Sequence, residues 1–305
     1  MKYTIIVFSL LIGLTFCLFS CQKDIDLKMV DTHISQLYVE SILYVGESPK
    51  VFLSKSVNFF NEKVTPQEVF ARNAVVEISD GSQVYLLQQD STFDKFRCRW
   101  NPFYTSNFIV APNATYQLTV RHEGQEITGE TSTTLKTIEV EEVEYTPFFY
   151  DVYGDHDGVI VRFKDVIGEG DFYRFQMDRW IDNTRFHAHV FDGFINTCVG
   201  NNELFFVSDL GRSIFSDSKI DGTNFELYLE VSFEYLKGDT ATVYMQTLDI
   251  NAARFYDTLD KQLESINNPF VEPTFLDSTV KGGVGVFGSA IRSEGVNFVY
   301  PQGSD

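Results

Sequence analysis

Cysteine is scarce in this chain, with four in 305 residues. Two of them, Cys17 and Cys21, lie in the first apolar stretch, which leaves Cys98 and Cys198. One remaining pair is no disulfide framework, and its members fall in different expected domains, so two independent buried thiols are expected. Basic side chains are few as well, 24 Lys and Arg against 43 Asp and Glu, for a formal charge of -19. Nucleic acid needs a basic surface for its phosphates, so that class of partner is excluded. The same acidity opposes lying flat on an anionic membrane and suits a solvated surface. Beyond Ser20 no apolar run reaches membrane-spanning length. A G-x-S-x-G elbow, an H-E-x-x-H pair and a reactive-cysteine signature are all missing. Carboxylates abound, but a glycosidase pair is defined by separation across a cleft, which a sequence does not give. The chain is therefore read as non-enzymatic, with no cofactor or metal expected.

What is there begins with MKYTIIVFSLLIGLTFCLFSCQKDID. Lys2 supplies a positive start, and Ile5 to Phe19 is an apolar core broken only by Ser9, Gly13 and Thr15. That layout is a secretory signal, too short for a comfortable membrane span. No A-x-A-like cleavage site follows it. Instead Leu18, Phe19 and Ser20 precede Cys21, which resembles the lipobox of bacterial lipoproteins and implies an acylated Cys21 at the mature terminus. Each buried CH₂ contributes about 0.8 kcal/mol, so two or three acyl chains hold a protein on a membrane. Gln22, Lys23, Asp24 and Asp26 then resemble the lipoprotein export signal of Bacteroidota, which implies the outer membrane, facing the cell exterior. Residues 1–20 read as a lipoprotein signal peptide and 21–32 as an acylated tether.

Beyond the tether the pattern is one of strands. Phe225, Leu227, Leu229, Val231 and Phe233 alternate with Glu226, Tyr228, Glu230, Ser232 and Glu234, a strand with one dry and one wet face. Similar stretches start near Ile34, Pro49, Asn73, Gln83, Thr115 and Gln125, with turn signals at Asp80-Gly81 and Glu123-Gly124. This spacing predicts an immunoglobulin-like β-sandwich of about seven strands over 33–135. A second β-rich domain is expected over 136–305, with strands near Val159–Val166, Phe172–Trp180, Arg185–Phe191, Leu204–Ser208, Asn224–Tyr235 and Thr240–Thr247. One helix near 250–266 has Asp249 as its N-cap and ends at Asn268-Pro269. The glycines of KGGVGVFGSAIR, from Lys281, mark a bulge or a close backbone approach. They do not cradle phosphate, because no Walker lysine and no following helix accompany them.

Few constellations suggest chemistry. His187 and His189 share a strand face with Arg185, but no third ligand is spaced to match, so solvent-facing histidines are expected. GDHDG, from Gly154, echoes a calcium loop, yet Val159 stands where an oxygen ligand belongs, so a turn is expected. Aromatics give more. Phe59 and Phe60 in VNFFNE, and Trp100, Phe103 and Tyr104 in WNPFYTSNF, form a candidate rim beyond the strand ends. Such loop aromatics suit a partner protein, or else plug the sandwich ends, and the excess of Phe over Tyr and Trp favours protein over glycan. Phe148, Phe149 and Tyr150 are expected at the seam between the domains. Asp90-Ser91-Thr92, Asp239-Thr240-Ala241 and Asp277-Ser278-Thr279 resemble the short D-S/T-x O-glycosylation motif of Bacteroidota periplasmic proteins.

LYVESILYV, VFLSKSVNFF, AVVEISDG, PNATYQLTV and NNPFVEPTFLDSTVKGGVGVFGSAIRS together are similar to one family. It comprises Bacteroidota outer-membrane lipoproteins of unknown function, of about this chain's length and commonly encoded beside TonB-dependent receptors. The resemblance spans the mature chain, and NPF-x-EP followed by GG-x-G-x-FG is its most specific part. It carries over no catalytic residue. It implies an accessory or binding subunit of a TonB-dependent transporter, docked on an outer-membrane β-barrel. The alternatives are a structural accessory of another outer-membrane complex, for secretion or barrel assembly, and, more remotely, a surface hydrolase.

Overall fold

A computed structural model describes residues 33–58, 65–95, 97–151, 154–182, 203–211, 214–229, 237–267, 270, 272 and 274–301. The first half holds β1 (Leu37–Tyr44), β2 (Lys50–Lys55), the short helix α1 (Pro66–Val69), β3 (Val75–Ser79), β4 (Val84–Leu86), β5 (Gln88–Asp94), β6 (Arg99–Thr105), β7 (Thr115–His122) and β8 (Gln125–Ser132). The second holds β9 (Glu139–Asp151), β10 (Gly154–Lys164), β11 (Phe172–Asp182), β12 (Leu204–Leu210), β13 (Phe215–Ser216), β14 (Asn224–Leu229) and β15 (Thr240–Leu248). Helix α2 (Ile250–Asn267), β16 (Val284–Arg292) and β17 (Val296–Val299) complete it. The protein is mainly β, as the alternating pattern predicts.

Among the described residues, the strands form three sheets. A ten-stranded sheet runs β12-β11-β15-β16-β1-β2-β6-β5, with β13 on β11 and β17 on β15. The others are β14-β10-β9 and β4-β3-β7-β8. Alternation dictates what each face buries: in β1, Leu37, Val39 and Leu43 go inward. They meet Leu53, Ile78, Leu118 and Ile127 in a first core, between one end of the large sheet and the four-stranded sheet. A second core joins Val161 and Phe163 of β10 to Tyr173, Met177, Val243 and Met245 at the other end of the large sheet. The ten-stranded sheet is thus one wall of both sandwich cores. Burying each such apolar side chain contributes about 1.5–3 kcal/mol.

β1 pairs in parallel with β16, from Tyr38 opposite Val284 to Tyr44 opposite Ala290. The large sheet is therefore continuous across residue 135, where a domain division is expected from sequence, and residues 35–305 form one compact unit. Pairing between strands so far apart in the chain leaves no local trace, which is why alternation alone suggests a boundary there.

Local signals are realised in detail. At the β7–β8 hairpin, Glu123 and Gly124 both take positive φ, and His122 pairs with Gln125 across this two-residue turn. Between β3 and β4 the Asp80 carboxylate accepts from the Ser82 hydroxyl and from the Gln83 and Ser82 N–H groups, which holds its pKa down to about 2. Asp249 caps α2, with Oδ1 accepting from the Ala252 N–H at 2.8 Å and Oδ2 from the Thr131 hydroxyl at 2.6 Å. The expected strand Arg185–Phe191, the end of the strand expected to reach Tyr235, and Asn268-Pro269 lie outside the described residues.

The glycines of β16 fit the close approach. Gly285 has φ of +133°, and an added Cβ would run into the Val39 carbonyl oxygen on β1. Gly46 also has positive φ, at +86°, but faces open space. Gly285→Ala is therefore expected to cost about 3–5 kcal/mol, strain plus clash, whereas Gly46→Ala costs only about 1–2 kcal/mol of strain. Thermal or denaturant unfolding of the two variants checks this, and equal losses would contradict the close-approach account.

Candidate functional site

The five aromatics of the expected rim separate in the structure. Phe59 and Phe60 lie outside the described residues. Trp100, Phe103 and Tyr104 stand on β6, not on a loop, and β6 pairs with β5 on one side and β2 on the other. Phe103 and Tyr104 are only 5% and 1% exposed, so they belong to the interior. The Tyr104 hydroxyl donates to the Ala71 carbonyl at 2.6 Å and accepts from the Ala74 N–H at 3.0 Å, the usual settlement for a buried tyrosine. Phe103 packs on Phe52, with the Lys50 ammonium 5.4 Å from its ring centre. Trp100 alone faces solvent, at 46% exposed, against Phe93 at 5.2 Å.

At the far end of β9, Phe148 and Tyr150 are well exposed, while Phe149 lies 5.9 Å from the Tyr228 ring. GDHDG proves to be the start of β10, paired with β9 from Gly154 opposite Asp151, and no turn. Its Asp157 accepts from the Tyr145 and Tyr300 hydroxyls. His187, His189 and Cys198 lie outside the described residues. Of the D-S/T-x positions, Ser91, Thr92 and Thr240 are exposed, while the Ser278 hydroxyl is half-buried and accepts from the Gly285 N–H.

Three charged groupings that were not picked out in sequence come together. Arg162 on β10 donates at 2.7 Å to Glu226, Glu142 and Glu144 on the flanking strands. The guanidinium holds Glu144 and Glu226 below their ordinary range.

A second grouping lies in the loops after β10 and β13. Carboxylate oxygens of Asp165, Asp217 and Asp221 lie within 4.8 Å of one another, the described set that could ligate a hard cation. Each is already used as a staple. Asp165 accepts from Gly222 N–H and the Tyr173 hydroxyl, Asp217 from Gly170 N–H, and Asp221 from Gly168 N–H. The Lys136 ammonium donates to the Gly168 carbonyl and, at 2.6 Å, to Asp171, bringing a protein cation to these acidic loops. Burial pushes the Asp171 carboxyl above its ordinary value, and Lys136 partly offsets this. A groove of about 550 Å³ opens beside them, lined by Thr137, Glu139, Glu141, Lys164, Asp165 and Arg292.

The third grouping covers one face of the large sheet. Buried Arg174 donates twice to Gln246 Oε1, at 3.0 and 2.8 Å, and lies 4.6 Å over the Tyr256 ring. Gln246 donates to Gln176, and Gln176 to Asp178 and Ser208. Alternation in Phe172–Trp180 could have found this face. If Tyr173 and Met177 go inward, then Arg174, Gln176, Asp178 and Trp180 must share the other side.

The chain belongs to the DUF4249 family, a domain of unknown function, whose description matches residues 22–294. No curated protein matches it. The family match begins at Gln22, so residues 1–21 stand outside it.

Two stability measurements follow from this geometry. Tyr104→Phe strands the Ala74 N–H and the Ala71 carbonyl and is expected to cost about 1–3 kcal/mol, against about 0.5 kcal/mol or less for exposed Trp100→Phe. Equal thermal shifts would show that Tyr104 is not the buried member. Lys136→Met removes the cation beside Asp171 and raises that carboxyl's folded pKa further. A raised carboxyl contributes stability below its unfolded pKa of about 3.9 and loses it as pH rises through the folded value. The melting-temperature gap between the natural chain and Lys136→Met is thus expected to widen from about pH 4 to pH 7. A gap independent of pH would refute the coupling.

Proposed function

We propose that this protein is a lipid-anchored component of the outer membrane, facing the cell exterior, where it is a non-enzymatic accessory or binding subunit of a TonB-dependent transporter. The observation that carries the reading is the juxtaposition of LFSC and QKDID at Leu18 to Asp26. An apolar leader ending on Cys21 supplies a membrane anchor without a spanning helix, and the lysine and acids that follow supply the address. Among the described residues, no helix is long and apolar enough to cross a membrane.

The docking role rests on exposed aromatics. Trp100, Phe148 and Tyr150 leave large apolar area in water, and a few such side chains supply most of the energy of a protein interface, about 2 kcal/mol or more each. The charged groupings favour a binding scaffold over a catalyst, because Arg162 and the loop aspartates are occupied in holding strands and loops.

Cys21→Ser is expected to abolish acylation and to remove the protein from the outer membrane, read by fatty-acid labelling and membrane fractionation. Acylated protein persisting after that change would sink the reading. Replacing Lys23, Asp24 and Asp26 together with Ala is expected to leave the protein acylated but protected from protease added to whole cells. Co-purification from detergent then identifies the barrel: a transporter supports the accessory role, and a secretion or assembly barrel transfers the chain to the structural alternative.

A further inference from the structure

The chain has two tryptophans, and the sheet turns both toward solvent. Trp180 is the more exposed, at 60%, and stands opposite Phe206, itself 52% exposed, with ring centres 5.6 Å apart. Burying an aromatic of this size is among the largest gains open to a fold, so leaving it in water on a regular strand needs a reason.

The strand register supplies one. Ser208, Asp178, Thr242 and Asn297 stand side by side across β12, β11, β15 and β17. Two residues along each strand, on the same face, stand Phe206, Trp180, Thr240 and Val299. A polar row therefore lies against an aromatic and apolar row. The polar row is held in place: Ser208 donates to Asp178 Oδ1 at 2.6 Å and Thr242 to Asn297 Oδ1 at 3.1 Å. Among the described residues, the second oxygen of Asp178 and the amide nitrogen of Asn297 take no hydrogen bond, leaving one acceptor and one donor toward solvent.

We propose that this face binds a neutral carbohydrate, with the C–H face of a sugar ring on Trp180 and Phe206 and its hydroxyls on Asp178 and Asn297. Charge works against an anionic occupant. The one formal charge in the two rows is the Asp178 carboxylate, on a chain of net -19, so anions are repelled and hydroxyl donors are favoured. An apolar face beside a hydroxyl edge is the shape of a pyranose, and charge-assisted hydrogen bonds to a carboxylate are the stronger kind. The proposal stands on the sheet face and is independent of where the chain is anchored.

The test is native affinity electrophoresis of the full chain, in a detergent without a sugar headgroup, through gels containing starch, dextran, mannan or xylan, with dextran sulfate as the anionic control. Retardation by at least one neutral polysaccharide and not by dextran sulfate is expected, weakened about tenfold or more by Trp180→Ala and by Asn297→Ala. In Trp100→Phe, Trp180 is the sole indole, so oligosaccharides of the retarding polymer are expected to shift its fluorescence. That reading does not depend on an alanine variant folding. Mobility unchanged by all four neutral polymers overturns the proposal. So does binding that Trp180→Ala leaves intact, or an indole that stays silent.

Discussion

The parallel pairing of β1 with β16 is the constraint on which the rest of the structure depends. Parallel neighbours need a crossover, and here the crossover is nearly the whole chain between Tyr44 and Val284. The entropic cost of closing so long a loop grows only logarithmically with its length, so two cores flanking the junction can offset it. The junction is tight because Gly285 lets the two backbones approach. It is covered by α2, whose Phe255 meets Tyr38 and whose Tyr256 hydroxyl donates to Glu40. The cap of α2 also reaches the second sheet through Asp249 and Thr131, so one joint fixes the large sheet, the helix and the four-stranded sheet together.

A strongly acidic chain must also place its few cations well. Arg162 gathers glutamates from two other strands, and Lys136 brings charge to the acidic loops. Exposed pairs of this kind contribute little stability each. Their use is to set which carboxylates are compensated and which remain open to solvent. Arg174 is handled differently, buried among neutral amides and a tyrosine ring, which keeps the adjoining sheet face polar without adding carboxylates to it. That polar face, which carries the Asp178 carboxylate and ends in Trp180 and Phe206, is the place where the fold leaves chemistry unspent.

Much of this was legible in the sequence, because most strands have one dry face. β1, β2, β3, β7, β10, β11 and β15 follow from alternation, the β7–β8 turn from Glu123-Gly124 and the start of α2 from Asp249. β6 was hidden. Pro102 and its aromatic neighbours read as a loop, and only pairing on both sides makes Phe103 and Tyr104 interior. GDHDG was hidden for a related reason: its polar, glycine-flanked run suggests a turn, and hairpin pairing with β9 overrides that preference. The exposed face was half legible. Alternation places Trp180 away from Met177, but no local signal shows that Ser208, Thr242 and Asn297 will line up beside Asp178, because register between distant strands is set by the whole sheet.

Native-state hydrogen exchange measures the central constraint most directly. If the β1–β16 junction unites residues 35–305, the most protected amides of β1 and β7 exchange with the same opening free energy and denaturant dependence as those of β11 and β16. Amides of residues 37–132 exchanging through a separate opening of lower energy, while β11 and β15 stay protected, would contradict it.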